Sequence, residues 1–343
     1  MRKYLLPFSL LFLGIAYTSQ AATYSTQNNT TIFQKMHDFE EMVLTTNLDS
    51  LVQNKRKGTY QPANLVLKGD NQEDLVMNIS IRARGKFRRR TCSLPPIKLN
   101  FAKSDLKEMG LVKNYDKLKL VTHCEMEKNY EQHLLKEYWA YKMYNTITED
   151  SYRVKLFKIT YIHEADPTRT IQNYAIVLEN TQELAERLGG VVIPKSYGIT
   201  PDKTTTTSFD QTIFFNYMIG NTDWALNVQR NLTLIQKDGE QKYTVIPYDF
   251  DQSKLVNAPY MATSPAIKEI TEDNRHAMES VSSEEALQSL IALFKQQKSD
   301  LKSFRKCPNL KKKVKGEITS YLYTFFLDLG DKRRMRSEFL AAR

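Results

Sequence analysis

Two short apolar runs joined by an Asp-Gly turn constrain the fold of this chain more than any other feature. Residues 232–235 and 243–246 have the apolar, β-branched character of strands. The segment between them is Lys237-Asp238-Gly239-Glu240, and Asp-Gly between strand-like runs is a strong signal for a hairpin. Because a hairpin brings its outer ends together, we expect the residues before the first strand to lie beside those after the second.

Acidic and amide side chains flank both outer ends of this predicted hairpin. They are Asn221, Asp223, Asn227 and Asn231 on one side and Asp249 and Asp251 on the other. Carboxylate and amide oxygens are the ligands that Mg²⁺ and Mn²⁺ prefer, and in phosphoryl transfer such a metal bridges phosphate oxygens. Acidic loops also bind Ca²⁺ for structural reasons, and Asp and Asn are common in turns without any ligand. The cluster predicts a divalent-metal site, with these two alternatives open.

The composition and the N-terminus indicate a folded, exported protein. The chain has 343 residues, of which 41% are hydrophobic and 11% aromatic, a composition typical of globular proteins. Arg2 and Lys3 precede an apolar stretch, residues 4–17, that is too short to span a bilayer well, and Ser19-Gln20-Ala21 suits signal peptidase. We expect residues 1–21 to be a signal peptide, the mature protein to be periplasmic or extracellular, and no transmembrane segment to follow.

The hydrophobic pattern divides the remainder of the chain into a β-rich and a mainly helical part. Residues 22–60 read as a flexible extension with a short helix at 39–51. Within residues 61–180, alternating apolar and polar positions predict strands at 64–68, 75–83, 96–101, 118–121, 154–162 and 174–178, with a helix at 129–145. Residues 181–343 predict helices at 181–188, 209–220, 284–298 and 312–329 around the hairpin segment 220–251.

The ordered motifs around the hairpin resemble the core of the CotH-type spore-coat kinases, which are secreted, atypical protein-kinase-like proteins. The motifs are a Gly-Asn-x-Asp loop, an Asn that opens a strand, and a Pro-aromatic-Asp-x-Asp end. The resemblance implies that Asp223 is the catalytic Asp and that Asn231 and Asp249 bind metal, with Asp251 as a helper. The spacing from Asp to Asn is longer than usual, so Asn227 stays open as the alternative to Asn231.

The resemblance also assigns nucleotide-binding residues in the β-rich part. An Arg-Gly element containing Arg84 would form a turn over phosphates, and Lys98, in a Pro-x-Lys-aliphatic strand, would contact the phosphates. Its helical partner would be Glu137 or, as a second choice, Glu131. Glu179 would lie at the hinge where a small lobe meets a large lobe.

The fold that this resemblance implies is α+β, with a protein-kinase-like two-lobe architecture. Its β-rich N-terminal lobe would span residues 61–180 and its mainly helical C-terminal lobe residues 181–343. The implied reaction is transfer of the γ-phosphate of ATP, or of another nucleotide, to a hydroxyl of a protein or small molecule, with Mg²⁺ or Mn²⁺.

Two other functions remain open: a pseudokinase scaffold in cell-envelope assembly, and a secreted adhesion or binding protein stabilised by Ca²⁺. No nucleic-acid partner is expected, because no aromatic stacking motif or base-reading module accompanies the basic run at residues 82–90. The sequence does not define the oligomeric state.

The three cysteines permit one disulfide in an exported protein. They are Cys92, Cys124 and Cys307, and their spacings match no zinc motif. We predict Cys92–Cys124 as the first pair to test, with Cys307 a buried thiol.

Overall fold

The structure is a computed structural model that describes residues 29–70, 72–263 and 275–340. The predicted signal peptide lies outside these residues. Within the described part of the chain, no helix is both long and apolar enough to cross a membrane.

Seven strands close into a β-barrel in the order β1-β2-β3-β4-β5-β7-β6. Apolar side chains alternate into the barrel interior, as the sequence pattern predicts for strands with one buried face. The strands are β1 (Glu41–Thr46), β2 (Gln61–Lys68), β3 (Leu75–Ala83), β4 (Ile97–Phe101), β5 (Lys117–Val121), β6 (Val154–His163) and β7 (Asp166–Leu178).

The first strand completes the barrel. β1 pairs antiparallel with β2 and parallel with β6, and in the parallel pair Val43 lies opposite Thr160. The sequence predicted a helix at residues 39–51, but β1 occupies Glu41–Thr46 in the middle of this segment, and only its end belongs to a short helix, α2 (Leu48–Gln53). The physical reason is the period-two burial of Met42, Leu44 and Thr46, which fits a strand and not a helix.

The predicted two-lobe, protein-kinase-like architecture is wrong. The β-rich part is a closed barrel, whose strands leave no open sheet edge, rather than the open sheet of a small kinase lobe. The broader expectation of a mixed α+β chain holds, because helices and a second sheet follow the barrel. The order of strands and helices along the chain did not determine how the sheet closes.

A second, three-stranded sheet carries the predicted hairpin. β9 (Leu232–Lys237) and β10 (Tyr243–Pro247) pair antiparallel, which confirms the hairpin, and β8 (Gly190–Val192) adds to the free edge of β9. Gly239 in the turn has a φ of 78°, the left-handed conformation that a Gly adopts without a steric penalty.

Helices surround the hairpin sheet and pack on the outside of the barrel. The predicted helices at 129–145, 181–188, 209–220, 284–298 and 312–329 are confirmed with small shifts at their ends. The helices are α1 (Ile32–Lys35), α2, α3 (Arg88–Thr91), α4 (Lys103–Glu108), α5 (Lys128–Ile147), α6 (Thr181–Arg187), α7 (Thr206–Ile219), α8 (Glu284–Gln296), α9 (Lys312–Asp328) and α10 (Lys332–Phe339), and short 3-10 turns span Met36–Asp38, Lys113–Tyr115, Pro201–Lys203, Pro259–Thr263 and Asp300–Lys306.

The molecule has two main hydrophobic cores. One fills the barrel, and the larger one joins α5, α7, the hairpin sheet and the C-terminal helices. Helix α5 contacts β6, β7 and α7, so it lies between the barrel and the helical part. This packing brings the outer face of the barrel to the ends of the hairpin, where the predicted site residues lie.

Candidate functional site

A row of cationic side chains crosses the outer face of three neighbouring barrel strands. Arg82 of β3 pairs with Lys98 of β4, and Lys98 pairs with Lys119 of β5. Directly paired residues project to the same face of a sheet, and the alternate residues of these strands fill the barrel core. Arg84, two residues beyond Arg82, extends the row, and its amide donates to the carbonyl of Pro96 at 2.8 Å.

The side chains of Lys98 and Lys119 form no hydrogen bond or ion pair with any described residue. The Lys119 Nζ lies 4.7 Å from the ring centroid of Tyr248 and 5.3 Å from that of Tyr152. Burial, with the nearby charges of Arg84 and Lys98, lowers the pKa of Lys119 to about 7. Burial, with Arg84 and Arg82, lowers the pKa of Lys98 to about 8. These two lysines therefore form an electrostatically unfavourable pair that an anion would stabilise.

The first acidic residue of the site, Asp223, lies in the loop just before the hairpin. The Nδ2 of Asn231 donates to the backbone carbonyl of Asp223 at 2.7 Å and to its carboxylate at 3.0 Å. The amide of Asp223 in turn donates to the Asn221 side chain at 3.1 Å. Arg230 approaches the other carboxylate oxygen at 3.6 Å. Asp223 is therefore held in place by the loop in which it lies.

Asp249 faces this loop from the other end of the hairpin. The amide of Tyr248 donates to the carbonyl of Asn231 at 3.0 Å, which joins the two ends as the sequence predicted. The amide of Asp249 donates to the hydroxyl of Tyr141 on α5 at 2.8 Å. Burial and the charge of Asp249 raise the pKa of Asp223, so the two carboxylates are close enough to repel each other.

The backbone around these residues is held in a sparsely populated conformation. Gln229, Asn231 and Asp249 have φ values of 45°, 52° and 65°, in the left-handed region that favours glycine. Non-glycine residues in this region cost about 1–3 kcal/mol each and cluster at functional sites. Asn and Asp tolerate it better than most residues, which fits the residue types at two of the three positions.

The cationic row and the acidic loop meet at two neighbouring cavities. The first, of about 180 Å³, is lined by Arg84, Gly85, Lys86, Phe87, Arg88, Pro96, Asp223, Asp249, Asp251 and Gln252. The second, of about 270 Å³, is lined by Lys98, Asn114, Asp116, Lys117, Lys119, Glu179, Asn180, Thr181 and Gln182. Arg84 belongs to the first cavity, yet its charge lowers the pKa of Lys98 and Lys119 in the second. The two cavities therefore form one electrostatic environment.

Arg88 occupies the buried floor of the first cavity. Its guanidinium lies 3.3 Å from the carboxylate of Glu137 and 3.9 Å from that of Asp251, and it donates to the carbonyl of Thr122. The guanidinium also lies 5.7 Å from the ring centroid of Tyr260. Arg88 and its two acidic neighbours are each less than 10% exposed. This group of four side chains, Arg88, Glu137, Asp251 and Tyr260, is called the Arg88 cluster below.

The charges within the Arg88 cluster are strongly coupled. Burial acts to lower the pKa of Arg88, but Tyr260, Glu137 and Asp251 together raise it well above its ordinary value. Burial raises the pKa of Glu137 to about 7, although Arg88 opposes this shift. Burial and the charge of Asp249 raise the pKa of Asp251 well above its ordinary value. The guanidinium of Arg88 thus stays charged and is the counter-charge for two buried carboxyl groups.

A disulfide fixes Arg88 to the end of the barrel. Cys92 and Cys124 are bonded, which confirms the predicted pair, and Cys307 is a buried free thiol, also as predicted. The amide of Cys92 donates to the carbonyl of Arg88 at 2.8 Å, one helical turn away. Cys124 follows Thr122, the carbonyl acceptor of Arg88, by two residues. The crosslink therefore holds the donor and the acceptor of this hydrogen bond in the same place.

The structure separates the predicted site residues into three groups. Arg84, Asp223 and Asp249 line the first cavity, with Asn231 bonded to Asp223. Lys98 lines the second cavity, but Glu137 pairs with Arg88 and not with Lys98. Asp251 also lines the first cavity but faces Arg88, and Glu179 lines the second cavity while it forms a 2.8 Å ion pair with Arg187. Glu131 and Asn227 line neither cavity: Glu131 accepts from Gln132, and the carbonyl of exposed Asn227 accepts from the amide of Gly198.

The residues present fit a divalent cation that is shared with phosphate oxygens. In the described ranges, no group of three or more His, Cys, Asp or Glu side chains is arranged to hold a metal ion. Mg²⁺, however, usually takes only one or two carboxylates and completes its octahedron with water and substrate phosphates. Asp249 would hold it, with Asn231 beside it. Burial and, after it, repulsion by Asp249 raise the pKa of Asp223, and a cation between the two carboxylates would offset that repulsion.

Sequence reasoning missed two residues that shape this site. Lys119 was visible only as an outward-facing position of a predicted strand, and its pairing with Lys98 depends on sheet register. Arg88 belongs to the basic run at residues 82–90, in which the sequence did not single it out as a buried residue. Its spacing of four residues from Cys92 was the available signal, because the cysteine marks the buried side of that helical turn.

The chain matches no protein-family model, and no curated protein matches it. The interpretation of this site therefore depends on its own geometry and charge.

Proposed function

We propose that this protein is a metal-dependent phosphotransferase that moves the γ-phosphate of ATP, or of another nucleoside triphosphate, to a hydroxyl of a protein or small molecule. The observation that carries the proposal is the facing arrangement of two charge types. Three cationic side chains, Arg84, Lys98 and Lys119, form no ion pair with a described carboxylate, and they lie near Asp223 and Asp249 at the ends of the hairpin. The resemblance of the loop motifs to CotH-type kinases agrees with this proposal.

The cationic row would bind the phosphates. Lys98 and Lys119 lose solvation without gaining an ion pair with a described residue, so their charged forms are disfavoured in the free protein. A triphosphate would supply the missing anionic partner and would raise both pKa values towards the ordinary lysine value. The guanidinium of Arg84 can donate two parallel hydrogen bonds to a phosphate, which fixes orientation as well as charge.

Asp223 would orient the acceptor hydroxyl and take its proton. The acceptor oxygen forms a bond to the γ-phosphorus while the bond from that phosphorus to the bridging oxygen breaks, and the nucleoside diphosphate leaves with the electron pair. The proton of the hydroxyl passes to the carboxylate of Asp223. Asn231 holds this carboxylate through its Nδ2 at 3.0 Å, which fixes the direction in which the other oxygen points.

A divalent cation on Asp249 and Asn231 would neutralise charge on the phosphates during transfer. Asp251 is less suited to this task, because it is buried and faces Arg88. We assign Asp251 and Glu137 a structural role, as the two carboxyl groups that hold Arg88 beneath the cavity.

One observation favours a second function, a nucleotide- or polyanion-binding protein without catalysis. The Asp223 carboxylate already receives a hydrogen bond from Asn231 and lies 3.6 Å from Arg230. Both contacts oppose the rise in the pKa of Asp223 that burial and Asp249 produce, as they would in a scaffold that keeps the fold but not the reaction. Binding would then persist without transfer.

The experiment separates binding from chemistry with two variants of the loop. The wild type is incubated with ATP and Mg²⁺ or Mn²⁺ while its melting temperature and its intact mass are measured, with transfer to casein as an added acceptor. We expect a metal-dependent rise in melting temperature and phosphate on the protein or on casein. Asp223→Asn should keep the rise but reduce transfer about 10²- to 10⁴-fold, since it removes only the proton acceptor.

Asp249→Asn should lose both signals, because it removes the metal ligand. The matched control is Asp238→Asn, an exposed carboxylate at the opposite end of the same hairpin, which should keep both. A wild type that shows the melting shift but no transfer would establish the binding function instead. If nucleotide and metal leave the melting temperature unchanged, both functions are excluded.

A further inference from the structure

A basic surface adjoins the mouth of the first cavity. It is built from three separate segments: the loop after α2, the end of β3, and the segment that comprises α3 and the residues just before it. Its members are Lys55, Arg56, Lys57, Arg82, Lys86, Arg89 and Arg90, and this set is called the basic surface below. Lys86 lines the cavity itself, so the surface continues directly into the site.

Specific contacts hold the three segments together. The Lys55 Nζ donates to the carbonyl of Cys92 at 2.8 Å, and the Arg82 guanidinium donates to the carbonyl of Gly58 at 3.3 Å. A methyl group on Gly58 would lie only 3.2 Å from the guanidinium of Arg82 and 3.5 Å from that of Arg89. Gly58 itself has a φ of 67°, a backbone conformation that favours glycine, and both guanidinium groups pack against it. The three segments of the basic surface are therefore held together by specific contacts.

Acidic residues are missing from the segments that form this surface. Residues 50–69 and 75–104 contain no Asp or Glu. None of the seven cations forms an ion pair with a carboxylate in the described part of the chain, whereas neighbouring Arg88 is fully engaged in its cluster. Like charges packed side by side cost free energy, so the arrangement is stabilised by an anionic partner.

We infer that the basic surface binds an acidic polypeptide segment and presents its hydroxyl side chain to the first cavity. This inference rests on the proposed function, because it names the acceptor class of the same site. The surface is rich in arginine, whose planar guanidinium binds carboxylates in a bidentate manner. An acceptor Ser or Thr next to Asp and Glu residues would reach Asp223 while its flanking carboxylates contact Arg56, Arg89 and Arg90.

An anionic membrane fits this surface less well. Phe87 is the exposed apolar residue at its centre, and one aromatic side chain gives little insertion energy. Met126, the next exposed apolar residue along the chain, lies between Glu125 and Glu127, whose charges an anionic bilayer would repel. A nucleic acid fits less well because Tyr60, which could stack on a base, is covered by the guanidinium of Arg82 at 5.1 Å.

The test measures binding without nucleotide, so that it is independent of transfer. The probe is a short fluorescein-labelled peptide rich in Asp and Glu with one central Ser, followed by fluorescence anisotropy at several salt concentrations. Its counterpart replaces each Asp and Glu by Asn and Gln. We expect salt-sensitive binding of the acidic peptide and none of the neutral one. The triple variant Arg56→Gln, Arg89→Gln and Arg90→Gln should weaken binding by about tenfold.

The matched control neutralises three exposed cations on the C-terminal helices, with Lys295→Gln, Lys332→Gln and Arg333→Gln, and should change binding by less than about twofold. Equal binding by the wild type and the Arg56, Arg89, Arg90 variant would overturn the inference. So would tighter binding of single-stranded DNA or of phosphatidylserine vesicles that depends on the same arginines. Peptide binding without phosphate transfer would support the basic surface as a binding site for acidic segments and would exclude the phosphotransferase function. Phosphate transfer without peptide binding would support the phosphotransferase function and would overturn the inference about the basic surface.

Discussion

The fold places the two groups of cations beside the cavity in opposite electrostatic environments. Arg88 is buried among Glu137, Asp251 and the ring of Tyr260, and its pKa is raised. Lys98 and Lys119 are partly buried and form no ion pair with a described carboxylate, and their pKa values fall to about 8 and about 7. Arg88 is thus ion-paired within the protein, whereas the two lysines have no ion-paired carboxylate among the described residues.

This difference distinguishes a structural charge from a binding charge. Removal of a cation that neutralises buried carboxylates leaves those carboxylates uncompensated, which costs several kcal/mol. Removal of a cation that has no partner relieves a penalty and so stabilises the free protein, while it reduces affinity for an anion. The sign of the stability change therefore reports the role of each residue.

The largest expected effect is that of Arg88→Leu. Because Glu137 and Asp251 would stay buried without their guanidinium, we expect the free energy of unfolding to fall by about 3–5 kcal/mol. Urea denaturation of the purified protein measures this. Arg90→Leu, an exposed neighbour in the same short helix, should change it by less than about 0.5 kcal/mol. A stability for Arg88→Leu close to that of Arg90→Leu would mean that the Arg88 cluster is not a stabilising unit.

The second effect concerns the crosslink that holds this cluster. We expect Cys92→Ser with Cys124→Ser to lower the unfolding free energy by about 2–4 kcal/mol, whereas Cys307→Ser should cost about 1 kcal/mol or less. The loss should also be less than additive with Arg88→Leu, since both changes release the same helical turn. A double-mutant cycle in urea tests this. Strict additivity would show that the disulfide stabilises the chain independently of Arg88.

The smallest expected effect has the opposite sign. Lys119→Met should raise the unfolding free energy at pH 7 by on the order of 1 kcal/mol, because it removes a desolvated charge. The pKa of Lys119 is lowered to about 7 in the folded state from an ordinary value of 10.5. Between pH 7 and pH 9.5 the unfolded state therefore binds more protons, and the stability of the wild type rises with pH.

The advantage of Lys119→Met should accordingly shrink as the pH rises through that window. Urea denaturation at pH 7 and pH 9.5 measures the difference, and Lys117→Met, on the same strand but partly exposed beside Asp116, is the control. Destabilisation by Lys119→Met at pH 7 would place this lysine with Arg88 among the structural charges.

Local patterns predicted most of the elements and part of the site. The Asp-Gly turn correctly placed Asp223 and Asn231 beside the residues that follow β10, since a hairpin needs only short-range information. The alternating pattern identified six barrel strands. Barrel closure was not predictable, because it depends on pairing β1 with β6 across a long stretch of sequence. For the same reason the partner of Glu137 was misassigned: Arg88 reaches it only through the tertiary fold.

The parallel pairing of β1 with β6 also determines when the barrel can exist during synthesis. Val43 cannot pair with Thr160 until more than a hundred further residues have been synthesised, so β1 leaves the ribosome long before β6, its second pairing strand. Until then β1 presents an unpaired edge, and long-range pairings of this kind are slow to form. The same strand that finally closes the barrel is thus a segment through which the nascent chain can pair with other chains.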